Sequence, residues 1–146
     1  MVKERSLTVN TTSDESIKAG AERVTPKEIE KVVEHADEIR QQFQSRGPLK
    51  RFIEDEKMLT ALVKDYRLGN YKGALYGTIA AVVFALIYVF NPLDLLPDVL
   101  PFVGALDDAS VIAACLMLVE RDLFKYRDWK VTQPSVPVRR DGEDVG

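Results

Sequence analysis

The chain has 146 residues, 46% hydrophobic and 29% charged, with a formal net charge of -3 and a pI near 5.3. That length fits one domain, and the acidic balance argues against a general nucleic-acid binder, which needs a clustered basic surface to neutralise phosphates. The single cysteine, Cys115, excludes an intrachain disulfide.

Residues 1–24 are rich in Ser, Thr, Lys and Glu, and no apolar run follows the first charges. They read as a disordered N-terminal segment without a cleavable secretory signal, which places the N-terminus in the cytoplasm. One helical domain is expected over 25–130, followed by a flexible tail over 131–146.

The first helix has a marked start. Thr25 serves as N-cap, Pro26 takes the first helical position and Glu28 completes a capping box. Ile29, Val32, Val33, Ala36, Ile39 and Phe43 then form one apolar stripe, and Gly47-Pro48 ends it. His35, the one histidine, is expected at the wet surface of this helix. A second helix is expected from about Leu49 to Leu68, with Phe52, Leu59, Leu62, Val63 and Tyr66 on one face and Gly69 as its stop. Lys50, Arg51, Lys57, Lys64 and Arg67 make it locally basic, which suits a solvated face or a helix lying on an anionic membrane.

The third segment differs in kind. From Gly73 to Leu93 the chain runs 21 residues without a charge. A membrane-spanning helix needs about 20 mainly apolar residues to cross a hydrocarbon core of about 30 Å. Apolar residues surround this helix on all sides, so it is either a span or a fully enclosed core helix, and few other apolar elements are evident to enclose it. Gly73, Gly77, Ala81 and Ala85 recur every fourth residue and offer a groove for close helix packing. A fourth helix is expected from Asp107 or Asp108 to about Lys125. Its apolar stretch, Ala109 to Val119, is 11 residues, too short to cross a bilayer alone. The two helices pair as a hydrophobic hairpin over 71–126. Cys115 reads as packing within it.

Between them lies Asn91-Pro92-Leu93-Asp94-Leu95-Leu96-Pro97-Asp98-Val99-Leu100-Pro101-Phe102-Val103-Gly104-Ala105-Leu106-Asp107-Asp108. Its three prolines preclude one long regular helix. The motif of Pro92, Asp94, Pro97, Asp98, Pro101, Gly104, Asp107 and Asp108, in that order and spacing, resembles the core signature of the YkvA family. The resemblance covers about Tyr71 to Val119. It implies a membrane-associated helical hairpin and no established reaction. A related domain sits at the membrane end of a RING-type ubiquitin ligase, but this chain lacks the RING cysteines.

The aspartates admit three readings. They cap helices and turns, with Asn91 and Asp107 as caps. Alternatively Asp94, Asp98, Asp107 and Asp108 bind a divalent cation through oxygen ligands, or a buried Asp98 or Asp107 serves as an acidic relay or partner contact at membrane depth.

Basic residues flank the apolar region on both sides (Lys64, Arg67 and Lys72 before it, Arg121, Lys125, Arg127 and Lys130 after it). By the positive-inside tendency both termini are cytoplasmic, and the hairpin is two-pass or re-entrant. Tyr71, Tyr76, Phe124, Tyr126 and Trp129 are placed to sit at the interface.

The fold class is therefore all-α: two amphipathic N-terminal helices, then a hydrophobic hairpin with a broken Pro/Asp-rich connector. The function expected is that of a non-enzymatic scaffold or interaction module in the membrane, with no catalytic residue and no cofactor. Its expected partners are the lipid bilayer and a second copy or another membrane protein, not nucleic acid. The alternatives are a cation- or proton-handling membrane protein using the connector aspartates, and a soluble helical-bundle oligomer.

Overall fold

A computed structural model describes residues 14–91 and 107–133, and these are helical without a strand, as the all-α class requires. Residues 14–21 form a short helix, α1. It falls inside the segment expected to lack order, yet its Ile17 is fully buried. Gly20 explains how α1 lies so close to the core, because a Cβ there would stand 2.1 Å from the Phe84 ring.

The first expected helix starts where its capping box places it. The Thr25 amide donates to Glu28 Oε1 at 2.7 Å, and α2 runs Pro26–Glu34. It does not continue unbroken to Gly47. His35 leaves helical geometry, and α3 (Ala36–Ser45) follows. Neither Gly nor Pro marks this break, where the imidazole stacks on Phe90 with ring centroids 5.2 Å apart. The stripe survives the break, since Ile29, Val32, Ala36, Ile39 and Phe43 are all buried.

The second expected helix is also two elements. Gly47–Phe52 is a 3-10 turn, η1, and α4 is Ile53–Arg67. In 3-10 geometry residues three apart eclipse, so Leu49 and Phe52 enter the core together. The end of α4 is a Schellman motif. Gly69 has φ of 80°, its amide donates to the Tyr66 carbonyl at 3.1 Å, and the Asn70 amide donates to the Asp65 carbonyl at 2.9 Å.

The apolar segment forms α5, Tyr76–Phe90. Its 15 residues extend about 22 Å at 1.5 Å per residue, short of a hydrocarbon core of about 30 Å. No helix among the described residues is long and apolar enough to cross a membrane. The helix expected over Gly73 to Leu93 is thus seen over Tyr76–Phe90, and Leu93 lies outside the described residues. Every residue from Ile79 to Val89 is buried by protein. The enclosure comes from Ile17, Val32, Ile39, Phe43 and Leu62, which the polar N-terminal half hides between charged residues.

The last helix, α6, is Asp108–Thr132, and it extends beyond Lys125 into the first residues of the expected tail. It pairs antiparallel with α5 as the hairpin predicts: Thr78 hydrogen-bonds Asp122, and the Cys115 thiol donates to the Ala81 carbonyl at 3.7 Å. Val111, Ile112, Cys115, Val119, Leu123 and Tyr126 form its buried stripe.

Candidate functional site

Helix termini gather at two ends of the bundle. At the connector end α5 finishes and α6 starts. Of the eight motif residues, Asp107 and Asp108 are described, whereas Pro92, Asp94, Pro97, Asp98, Pro101 and Gly104 lie outside the described residues. Asp107 is the N-cap of α6 and accepts the Ser110 amide at 2.7 Å. Hydrogen bonds from the Ser110 amide and hydroxyl, with help from the Arg51 charge, hold its carboxyl below the usual range. Asp108 pairs with Arg46, whose guanidinium also donates to the Val89 carbonyl at 3.3 Å. One arginine thus holds the negative end of α5 and the first residue of α6 together. Sequence reading passed over Arg46, because its partners lie 43 and 62 residues away. Among the described residues no group of three or more His, Cys, Asp or Glu is placed to hold a metal ion.

The small-residue series divides. Gly73 precedes α5 and Gly77 is exposed in its first turn, while Ala81 and Ala85 are buried. Cys115 is fully buried, and desolvation pushes its thiol up to about 12, which makes it inert packing. His35 is partly exposed, with Nδ1 lying 3.5 Å from Glu38 Oε2.

At the opposite end the centre is Asp65. Its Oδ2 accepts the Tyr126 hydroxyl at 2.5 Å and the Lys130 ammonium at 3.0 Å, and its Oδ1 accepts the Asn70 side-chain amide at 3.3 Å. Burial pushes this carboxyl up, but the bonds from Tyr126, Lys130 and Asn70 and the charge of Lys130 outweigh it, so the net shift is downward. The Tyr126 hydroxyl moves up, through burial first and the neighbouring carboxylate second. The Tyr71 ring packs against Tyr126 and Trp129 at centroid distances of 5.2 and 5.0 Å. Two aromatics expected at a membrane interface, Tyr71 and Tyr126, are therefore core residues that cover a buried carboxylate. A second acid is enclosed nearby in sequence: Glu56 is fully buried, held by Arg40 Nε at 2.8 Å and the Thr60 hydroxyl at 2.7 Å. No helical pattern distinguishes Asp65 or Glu56 from the exposed acids around them.

Between α1 and the α5–α6 pair runs an open groove of about 710 Å³. Ile17, Ala21, Leu75, Ala80 and Leu118 make its apolar wall, and Lys18 and Glu22 stand at its edge.

Comparison with known proteins centres on the connector end. Residues 78–114 match a family model described as a protein of unknown function (DUF1232). The chain is also 29% identical over 82 residues to the uncharacterized membrane protein YkvA of Bacillus subtilis (strain 168), covering 56% of this chain and 77% of that protein. The chain therefore resembles YkvA over part of its length. The resemblance seen in the Pro/Asp connector thus extends beyond its motif. The family match runs from the first turn of α5, through the connector, to Ala114 in α6. Arg46 and Asp65 come from outside that stretch and tie the hairpin to the preceding helices. No solved structure matches the chain.

Proposed function

We propose that this YkvA-like chain is a non-enzymatic interaction module that works at a membrane surface as a helical bundle, without α5 entering the bilayer. The observation that carries this reading is the similarity, over 56% of the chain, to a Bacillus protein described as a membrane protein. The enclosure of Ile79 to Val89 by protein favours surface attachment over a span. The engagement of Asp107 as a helix cap and Asp108 in an ion pair favours structural over cation-handling roles for these two aspartates. Fractionation of cells expressing the untagged chain tests the proposal. Sedimentation with membranes is expected, and complete recovery in the cleared supernatant would refute it.

A further inference from the structure

Resting on that reading, we infer that the end of the bundle formed by residues 64–76 and 125–133 is the face that docks on the bilayer, and that it selects anionic phospholipid. The two segments are brought together by the Asp65 cluster. Lys130 and Tyr126 from α6 bond to Asp65 of α4, and Tyr71 of the intervening loop packs against Tyr126 and Trp129. The start of α5 joins them, with the Tyr76 hydroxyl donating to the Val24 carbonyl at 2.8 Å.

This end concentrates exposed apolar side chains. Leu68, Leu75, Tyr76 and Val131 are 64, 72, 44 and 79% exposed, and they are four of the seven large hydrophobics exposed among the described residues. All four lie at or beside helix ends, where shallow insertion leaves the enclosed core intact.

Charge at this end runs against the rest of the chain. Residues 64–76 and 125–133 carry six basic and two acidic side chains, while the whole chain has a net charge of -3. All six, Lys64, Arg67, Lys72, Lys125, Arg127 and Lys130, are exposed. Of the two acids, Asp65 is buried against Lys130 and Tyr126, which leaves Asp128 as the exposed one. Arg67 also contacts Glu30 and Lys130 contacts Asp65, so Lys64, Lys72, Lys125 and Arg127 supply most of the outward field. Apolar tips among lysines and arginines are the chemistry of an anionic lipid surface, where each basic residue adds to attraction and apolar side chains anchor at the acyl boundary.

The test is co-flotation of the full chain with vesicles of phosphatidylcholine alone and of phosphatidylcholine with one-third phosphatidylglycerol. Binding to the anionic vesicles and weakening by salt are expected. A Lys64→Glu/Lys72→Glu variant and Leu75→Asp should each lose binding about tenfold or more, with helical circular dichroism unchanged. Lys50→Glu/Lys57→Glu, remote from this end, should bind as the parent does. Equal binding by all variants would overturn this face while leaving membrane association standing. Sedimentation with cell membranes but no flotation with either vesicle would also overturn it, because the receptor would then be a protein. Absence from cell membranes would overturn both readings.

Discussion

Asp65 gathers side-chain hydrogen bonds from Tyr126, Lys130 and Asn70, and its chemistry sets a pH dependence. Its carboxyl titrates lower in the folded chain than the value near 3.9 of an unfolded aspartate. Its stabilising contribution is therefore complete above about pH 4, and it is lost as pH falls through the folded value. Asp65→Asn should remove this acid-side dependence and cost about 1.5–3 kcal/mol at pH 7, the range for hydrogen bonds to a charged group. Urea unfolding at pH 7 and at pH 3 measures both effects. Asp107 has a simpler role, since its one described task is to cap α6 through the Ser110 amide. Asp107→Ala should cost about 0.5–2 kcal/mol, whereas Asp107→Ser, which keeps a capping oxygen, should restore most of it in the same urea titrations. Cys115 should resist alkylation at pH 8 in the native state and react at the rate of a free thiol once denaturant unfolds the chain, because burial raises its thiol to about 12.

Among the elements, those announced by local chemistry were legible in the sequence and those made by distant contact were not. Thr25, Pro26 and Glu28 fix the start of α2 within one turn, and Gly69 fixes the end of α4, since both are cap motifs built from adjacent residues. The antiparallel pairing of α5 with α6 followed from their apolar runs. By contrast, α1 has a single large buried side chain, Ile17, and no periodicity to announce it. Its docking depends on Gly20 meeting Phe84, 64 positions later in the chain. Gly20→Val should therefore detach or strain α1, at a cost of about 1–3 kcal/mol for overpacking against a buried ring. Limited proteolysis should then cut within residues 14–21 before any other described helix. The connector end was half legible: capping by Asp107 is a local signal, but the bridge by Arg46 spans three elements. Asp65 and Glu56 were missed because burial of a carboxylate is decided by its partners, Lys130, Tyr126 and Arg40, none of which is near it in sequence.

At the scale of the molecule, α5 decides the account. Its apolar surface reads as a bilayer span, yet the surrounding helices cover it, and 15 residues fall short of the hydrocarbon thickness. The exposed apolar side chains lie elsewhere, on turns and outer helix faces. A bundle of this kind keeps its core dry by its own packing, and under the proposed function it touches lipid only at its edge. Hydrogen exchange of the full chain, purified and measured without detergent, tests this most directly. The account predicts that amides of Ile79 to Val89 exchange slowest, together with those of Leu59 to Val63 in α4, as one cooperative unit. Rapid exchange throughout α5 without detergent, with protection appearing only when micelles are added, would contradict it and return α5 to the bilayer.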